Sequence, residues 1–427
     1  MEGSLRLVGG GDMARGCPGP WMSHPGSCPA GWASCQWQAQ QVLGAWWSCR
    51  GRGSLLLQRQ QQREPAARKG TGEAAKLSLP ELETLTPHPQ TSASSMTSFL
   101  YYALPALGGY SLLSLFFLRR PWLLHVSRDP AFRCRLAAHR GGSGERLENT
   151  MEALENSMAQ RSDLFELDCQ LTRDGQVVIS HDENLFRQSG LNKNIQDVDY
   201  EPGFPMISIL SLLHSPQDLP LYREELEVYF SPGQFARGSD RKMIRLEDVF
   251  QRFPQTPMSL EVKVEDEKLI NKIATIVKHF GRSEITIWAA EKNSVMKKCR
   301  AANPEMPTSF TVVRVIWLLL MYYVGLLPFF SIPERFLLCF LPTIINRTYF
   351  PFSCTALNRL AAALTKRLIM RKSLIRHLEE RGIQVVFWCL NEESDFEVAY
   401  KLGATGVMTD YPTALRHYLD NHPQQRK

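Results

Sequence analysis

Apolar and polar positions alternate with two different periods from about residue 134 to the C-terminus, and these periods predict strands and helices in turn. Apolar runs such as Leu164–Leu171 and Met258–Val264 have the length of strands, whereas Glu267–Phe280 has the 3.6-residue period of an amphipathic helix. Repeated β–α units predict a parallel sheet. Over a span of roughly 250 to 290 residues, they predict a closed (β/α)8 barrel. The other predicted strands are Arg135–Ala138, Gln176–Ser180, Glu284–Ala289, Ser309–Val313, Gln384–Leu390 and Gly406–Thr409, and the other predicted helices are Glu148–Gln160, Leu246–Phe253, Asn293–Ala302, Leu360–Arg381, Glu393–Leu402 and Pro412–Asp420.

An uncharged, mostly apolar run precedes the alternating region. It covers 98–118, and a membrane span needs about 20 such residues. Tyr101 and Trp122 lie near its ends, where aromatic rings favour the membrane interface, and Arg119 and Arg120 follow it. We therefore expect an N-terminal transmembrane helix, the alternative being a buried helix in front of the domain.

A second apolar run, over 315–345, interrupts the β–α pattern. Pro328, Pro333 and Pro342 break it, which argues against one straight span. We predict a membrane-associated insertion or a lipid-facing lid. The alternative is that this run supplies ordinary barrel elements.

The remaining segments are irregular. Residues 1–95 are rich in Gly, Pro, Gln and Ser without a period, and we predict a disordered tail. Residues 191–241 contain several prolines and are predicted to form a loop insertion within a domain that covers 134–422.

Composition and charge exclude some functions. The net charge of +6 over 427 residues is modest, and no long basic run is interleaved with aromatic residues, so we expect no nucleic-acid partner. The ten cysteines form no CxxC pair, which favours reduced, buried thiols over disulfides but leaves disulfides possible in principle. The N-terminus is not that of a signal peptide. No feature indicates an obligate protein partner.

Two carboxylates, Glu166 and Asp168, lie two residues apart on one predicted strand. Alternate residues of a strand face the same side, so the two groups repel unless a cation or proton lies between them. A divalent cation with oxygen ligands, Mg²⁺ or Ca²⁺, would resolve this. For the motif alone, the alternative is one acid in an ion pair and one exposed acid.

Two histidines bracket that strand. His139 ends the preceding strand and His181 ends the strand after the next turn, and barrel enzymes carry their chemistry at strand C-termini. Either histidine alone would suit a structural role, but together they are candidates for a general acid and a general base. Arg140 offers donors for a phosphate, and the glycines after it let the backbone approach a ligand closely.

A later strand repeats the pattern. Glu261 and Lys263 share one face, so Glu261 could complete a metal site and Lys263 could neutralise a phosphate. An alternating surface strand is the competing interpretation. Trp388 and Asn391 end another predicted strand and could form a wall of the pocket, although Trp388 would fit equally well in the core.

These motifs together resemble the glycerophosphodiester phosphodiesterase domain family. The resemblance covers roughly Arg135 to the C-terminus. Its later elements are SLEVKV, FWCLNEES and GATGVMTDYP. Its first elements are the HRG at His139, the ENT at Glu148, the ExD at Glu166, the DG turn at Asp174 and the HD at His181.

With the apolar span in front, the chain looks like the membrane-anchored branch of that family with lysophospholipase D activity. The resemblance implies a TIM-type barrel, a divalent metal cation as cofactor, and a location in a membrane, that of the endoplasmic reticulum or the perinuclear region. It implies hydrolysis of lysophosphatidylcholine-like and N-acyl lysophosphatidylethanolamine-like lipids to lysophosphatidic acid plus an amine alcohol. The implied roles are acid and base for His139 and His181, metal ligands for Glu166, Asp168 and Glu261, and substrate contacts for Arg140, Lys263 and Trp388.

Three other functions remain compatible with the same residues. The chain could act on deacylated, soluble glycerophosphodiesters, or it could be a lipid-binding barrel whose site is spoiled by the insertion. A phospholipase C-like enzyme would cut the other ester bond and release phosphocholine. The side of the membrane is also open, because the arginines after residue 118 favour the cytosol, whereas Asn346-Arg347-Thr348 is a glycosylation sequon usable only in the lumen.

Overall fold

The structure of the chain is a computed structural model that describes residues 92–200 and 219–423. The predicted disordered tail lies outside the described residues, apart from Ser92–Ser95 at the start of the first helix. The central part of the predicted loop insertion, 201–218, also lies outside them.

A parallel sheet forms the centre of the molecule. Its strands are β1 (Leu136–His139), β2 (Leu164–Leu171), β6 (Met258–Glu261), β7 (Thr286–Ala289), β8 (Phe336–Phe340), β9 (Gln384–Trp388) and β10 (Gly406–Thr409). They are hydrogen-bonded in the order β7-β6-β2-β1-β10-β9-β8. A short strand, β3 (Val177–Ile179), pairs antiparallel with the end of β2, and β4 (Glu225–Glu227) and β5 (Phe235–Arg237) form a separate hairpin.

Two residues close this sheet into a ring. Thr308 makes a parallel bridge with Trp288 of β7, and Ser309 makes a parallel bridge with Phe336 of β8. The segment thus takes the place of an eighth strand, and the predicted (β/α)8 barrel is confirmed. The predicted strand Ser309–Val313 is much shorter than expected, since a helix begins at Val312.

Helices surround the barrel. Those predicted at Asn293–Ala302 and Glu393–Leu402 are observed with the same bounds, and the predicted helix Leu360–Arg381 is split into two. Thr150 caps the first barrel helix, since its side chain accepts a hydrogen bond from the backbone of Ala153. The observed bounds are Met151–Ala159, Phe186–Ser189, Leu246–Arg252, Glu267–His279, Asn293–Ala302, Val312–Val324, Thr355–Ile369, Lys372–Glu380, Glu393–Leu402 and Pro412–Asn421.

The apolar run over 315–345 differs from its prediction as an insertion. Its first part continues the helix Val312–Val324, and its last part is β8, which is paired along its length with β9. A buried barrel strand and a membrane segment both require apolar residues, so hydropathy alone does not separate them. The helix exposes part of its apolar surface, whereas Leu327 and Pro328 in the turn after it are buried.

The helix Ser92–Arg119 stands in front of the barrel. Within it, Phe99–Arg119 is long and apolar enough to cross a membrane, with a mean hydropathy of 1.3 and only 6% of the segment buried. Its C-terminal half contacts the barrel, where the Tyr110 hydroxyl donates a hydrogen bond to the carbonyl of Val324 and the Ser114 hydroxyl to that of Gly325. Within residues 92–200 and 219–423, one apolar helix thus suits a membrane anchor.

The barrel interior is apolar at one end and polar at the other. Leu164 and Ile287 belong to a buried cluster near the strand N-termini, whereas Glu166 and Asp168, further along β2, are buried polar groups. Burying polar groups costs free energy that partners or a ligand must offset. The buried polar groups therefore mark the C-terminal ends of the strands as the candidate site. In the described part of the chain the cysteines are free, and all but Cys354 are buried.

Candidate active site

The strand register brings the predicted site residues together at the C-terminal end of the barrel. His139 of β1 lies beside Glu166 of β2, and Asp168 of β2 lies beside Glu261 of β6. Lys263 follows β6 and reaches the same cluster. Residues that are far apart in sequence thus form one row across three neighbouring strands.

Three carboxylates form the centre of the row. Glu166, Asp168 and Glu261 each offer an oxygen atom, and these atoms lie within 4.8 Å of one another. Burial raises the pKa of Glu166 well above its usual range, and the neighbouring carboxylates raise it further. Burial also raises the pKa of Glu261, to about 7, with Asp168 contributing. The mutual repulsion of these groups is the expected property of a site that accepts a cation.

A divalent cation fits this donor set. Asp168 Oδ2 is buried and makes no hydrogen bond, although it lies 3.7 Å from Arg140 Nε. Oxygen ligands in a compact carboxylate cluster suit Mg²⁺ or Ca²⁺. Glu166, Asp168 and Glu261 are the residues that would hold such an ion.

Two cations of the protein border the carboxylates. Lys263 Nζ lies 2.6 Å from Asp168 Oδ1 and 3.9 Å from Glu261 Oε2. Burial disfavours the charge of Asp168, but Lys263 outweighs it and the pKa of Asp168 falls to about 2. Arg140 is fully buried and lies over the ring of Tyr229, with 4.9 Å between its guanidinium carbon and the ring centroid. The site therefore keeps two positive groups next to a charged carboxylate.

His139 is held by the carboxylate of Asp410, which directly follows the adjacent strand β10. Its Nδ1 lies 2.6 Å from Asp410 Oδ1, while its Nε2 lies 3.8 Å from Glu166 Oε2. The Ser143 hydroxyl and the Asn391 amide also donate hydrogen bonds to Asp410. Hydrogen bonding of one ring nitrogen fixes the tautomer and leaves the other nitrogen facing the site.

His181 has the same arrangement on the other side of the row. Its Nδ1 lies 2.6 Å from Asp182 Oδ1, and Arg187 Nε donates a hydrogen bond to Asp182 Oδ2. Burial lowers the pKa of His181 well below its usual value, and the charges of Arg140 and Lys263 lower it further. These surroundings disfavour the protonated ring, which suits a group that accepts a proton.

A buried carboxylate connects the two sides. Glu148 accepts hydrogen bonds from Arg140 Nη1 at 3.0 Å, from Arg187 Nη2 at 2.5 Å and from the Gln188 amide at 3.1 Å. Burial opposes its charge, but Arg187 and Arg140 outweigh burial and hold the pKa of Glu148 below its usual range. Glu148 thus orients the arginine that faces the site and the arginine that supports Asp182.

The backbone after β1 turns sharply to place these groups. Arg140 has a φ of 48° and Gly142 a φ of 91°. A Cβ atom on Gly142 would lie 2.8 Å from Ser157 Oγ and 2.9 Å from the Pro412 ring. A side chain at this position is therefore excluded by space as well as by conformation.

Aromatic side chains form one wall beside the histidines. The ring of Phe230 lies 5.5 Å from that of His139, and the ring of Tyr229 lies 5.5 Å from that of His181. Trp388 at the end of β9 contacts Phe230, Phe340 and Tyr349, with centroid distances of 5.9 to 6.2 Å. The predicted wall residue Trp388 is thus part of a larger apolar surface next to the charged row.

Comparison with known proteins places this geometry in a family. The sequence model of the glycerophosphoryl diester phosphodiesterase family matches residues 139–414, the span that carries both histidines and the carboxylate row. The chain belongs to this family. It is therefore a phosphodiesterase, as the resemblance of its motifs implied.

The similarity extends to curated relatives. The chain is 70% identical to human lysophospholipase D GDPD3 over 327 residues, which cover 77% of this chain and 98% of the relative. The mouse protein of that name is 68% identical over 330 residues, covering 77% of this chain and 95% of the relative. Human lysophospholipase D GDPD1 is 40% identical over 321 residues, covering 75% and 97% respectively. These similarities confirm the predicted branch.

Several groups at this phosphodiesterase site were not identified from the sequence. Asp410 and Asp182 were noticed only as parts of the TD and HD motifs, although each contacts a histidine. Tyr229 and Phe230 lie in the irregular segment, where no period indicated an inward position. The adjacency of Asp182 to His181 was the one local signal, whereas the contact of Asp410 with His139 depends on the pairing of β1 with β10.

We expect Glu148→Gln to destabilise the phosphodiesterase domain. The substitution leaves two arginines short of a buried negative partner, and breaking such a pair costs about 3–5 kcal/mol, or a fall of about 5 °C or more in the midpoint of thermal unfolding. Glu155→Gln is the matched control, because Glu155 pairs with Arg252 at the surface. An equal shift of the midpoint for both variants would show that the buried network does not stabilise the fold.

Proposed function

We propose that this phosphodiesterase is a lysophospholipase D that cleaves lysophosphatidylcholine-like and N-acyl lysophosphatidylethanolamine-like lipids to lysophosphatidic acid and the amine alcohol. The observation that carries the proposal is the pair of carboxylate-supported histidines on either side of a row of carboxylates and cations. The apolar wall of Phe230 and Trp388 beside this row suits an acyl chain. The relatives at 70% and 40% identity are both named lysophospholipase D, in agreement with this substrate class.

In the proposed reaction, His139 and His181 act as general acid and general base. One histidine accepts the proton of the nucleophile, the free glycerol hydroxyl or a water molecule, as the oxygen of that nucleophile bonds to phosphorus. The other donates a proton to the oxygen of the amine alcohol as its bond to phosphorus breaks. Attack by water gives lysophosphatidic acid directly. Attack by the glycerol hydroxyl gives a cyclic phosphate, which a water molecule then opens to lysophosphatidic acid as one histidine accepts the proton of the water and the other donates a proton to the released glycerol oxygen. Asp410 and Asp182 hold the two imidazoles in the tautomers required.

Positive groups of the chain bind the phosphate in this proposal. Arg140 presents a planar fork of donors, and Lys263 is a point charge close to Asp168. A divalent cation bound by Glu166, Asp168 and Glu261 would draw negative charge from the phosphoryl oxygens. The apolar surroundings strengthen all of these interactions, because the local dielectric constant is lower than that of water.

The apolar helix Phe99–Arg119 fits the same proposal. A substrate with one acyl chain partitions into a bilayer, and an enzyme anchored there meets it at a high local concentration. We propose the membrane of the endoplasmic reticulum or the perinuclear region, in agreement with the resemblance to the membrane-anchored branch.

The identity of the products tests the proposed function. With lysophosphatidylcholine as substrate, the purified full-length chain is expected to release free choline and to leave lysophosphatidic acid, in the presence of Mg²⁺ or Ca²⁺. Both products are measured, choline by an oxidase-coupled assay and the lipid by mass spectrometry. Release of phosphocholine with monoacylglycerol would instead show cleavage of the other ester bond.

Two further comparisons separate the remaining functions. A rate on glycerophosphocholine that exceeds the rate on lysophosphatidylcholine would contradict a preference for acylated substrates. Binding of lysophosphatidylcholine without turnover in the presence of Mg²⁺ or of Ca²⁺ would indicate a lipid-binding barrel rather than an enzyme of this specificity.

A further inference from the structure

The helix Thr355–Ile369 has its apolar face turned away from the barrel. Leucines at a spacing of three and four residues lie on one side of a helix, and such a stripe normally packs against the core. Here these leucines are between 40% and 55% exposed. We call them the outer leucine face: Leu357, Leu360, Leu364 and Leu368.

A polar contact orders the start of the helix. Asn358 is its buried residue, and the Asn358 amide donates a hydrogen bond to the carbonyl of Phe352 while the backbone N–H of Phe352 donates to Asn358 Oδ1, each at 2.8 Å. The helix thus buries a polar residue, Asn358, whereas the outer leucine face stays exposed.

The outer leucine face continues into other exposed apolar surface. The Tyr323 hydroxyl donates hydrogen bonds to the carbonyls of Arg367 and Leu368, which joins the helix Val312–Val324 to the end of Thr355–Ile369. That second helix exposes apolar side chains as well, and its end contacts the candidate anchor helix through Tyr110. The exposed residues concerned are Val313, Ile316, Leu320, Tyr323 and Val324.

The charge of this region selects a partner. The sequence has no acidic residue between Glu334 and Glu379. Basic side chains flank the outer leucine face: Arg359, Lys366, Arg367, Arg371 and Lys372. Apolar residues on one face of a helix, with basic residues and no acidic residue in the same stretch of sequence, are typical of helices that lie in the interface of a membrane with anionic lipids.

The same region leads to the candidate active site. Tyr349 lies six residues before the helix Thr355–Ile369, and its ring contacts those of Phe230 and Trp388 at 6.3 and 6.2 Å. Phe230 in turn contacts His139. A chain of aromatic contacts therefore runs to the histidine from Tyr349, in the segment that leads into this helix.

We infer that the outer leucine face lies in the interfacial layer of a bilayer that contains anionic lipids. This contact is separate from the anchor helix: the anchor keeps the chain at the membrane, and the outer leucine face seats the barrel so that its aromatic wall meets the lipid. The inference goes beyond the proposed function, since it concerns the surface that meets the membrane and not the bond that is cleaved.

Photo-crosslinking to lipid tests the contact directly. The full-length chain carries p-benzoylphenylalanine in place of Leu360 or Leu364 and is reconstituted into vesicles of phosphatidylcholine and phosphatidylserine with a radiolabelled phospholipid. The control position is Gln251, which is exposed on the helix Leu246–Arg252 between β2 and β6, and β2 lies across the ring from β8. We expect about tenfold more lipid adduct at the two leucine positions than at Gln251. Equal yields, or adducts with protein instead of lipid, would overturn the inference.

A pair of variants connects the contact to activity. Leu360→Glu combined with Leu364→Glu places two charges on the outer leucine face, and Gln251→Glu adds a charge at the control position. We expect the double variant to lose about tenfold in choline release from lysophosphatidylcholine embedded in vesicles and to match the wild type on a short-chain, monomeric lysophosphatidylcholine. An equal loss of choline release on both substrates would contradict a contact of the outer leucine face with the bilayer. If the wild type released no choline from either lipid, the proposed function would fail while the lipid adducts still tested the surface.

Discussion

Glu166→Gln is expected to reduce kcat/KM for the phosphodiester on the order of 10²- to 10⁴-fold, because a bound cation contributes several kcal/mol to stabilising charge in the transition state. Glu166 lies at the centre of the row, with Asp168 and Glu261 on neighbouring positions of the sheet. Glutamine keeps the shape of the side chain but removes its charge. The substitution therefore tests the charge of the cluster rather than its packing.

A binding measurement makes this test independent of turnover. Calorimetric titration of the full-length protein with Mg²⁺ or Ca²⁺ is expected to show an affinity at least about tenfold lower for Glu166→Gln than for the wild type. Glu183→Gln is the control, since Glu183 is exposed and lies next to the site in sequence. Chelation of divalent cations is expected to abolish the wild-type rate. Unchanged affinity and an unchanged rate in the chelated protein would show that the carboxylates do not bind a cation needed for catalysis.

His139→Ala and His181→Ala are each expected to lower kcat by roughly 10²- to 10⁴-fold, the usual contribution of general acid–base catalysis. Each histidine has its own supporting carboxylate, Asp410 for His139 and Asp182 for His181. The proposed reaction needs both a general acid and a general base, and removing either imidazole removes one of the two. The loss of rate should therefore be large for both variants.

A change of leaving group separates the two roles. A glycerophosphodiester of p-nitrophenol needs no proton on its departing oxygen, so the variant that lacks the general acid should recover most of its rate on this substrate. The variant that lacks the general base should not recover. His417→Ala, at an exposed position of the last helix, is the control and should keep the wild-type rate on both substrates. Near-wild-type rates for His139→Ala or His181→Ala on the natural substrate would contradict the assignment of that histidine.

Local patterns were sufficient for much of the fold. The strand Leu164–Leu171 and the helices Asn293–Ala302 and Glu393–Leu402 have the bounds that periodicity and turn residues predict. Their side-chain periods are set by the geometry of the element itself and need no knowledge of the neighbours. The common face of Glu166 and Asp168 follows from the strand period in the same way.

Non-local pairing limited the prediction elsewhere. The closing segment at Thr308 and Ser309 makes only single bridges, so its length was set by the need to join β7 to β8 and not by its own sequence. The apolar run over 315–345 also could not be assigned from its own sequence. The strand β8 is apolar because the barrel buries it, whereas several apolar residues of the helix Val312–Val324 are exposed. Hydropathy does not distinguish these two causes.

The sequence by itself determined the barrel and the family, and it pointed to the candidate histidines, carboxylates and cations, because strand period, turn residues and motif spacing are local properties. Only the tertiary structure decided that Asp410 supports His139, that Tyr229 and Phe230 cover the histidines, and that the outer leucine face is directed away from the barrel. Those facts depend on which strands are neighbours and on which face of a helix meets the core. Both follow from packing over the whole chain, and a short stretch of sequence does not determine that packing.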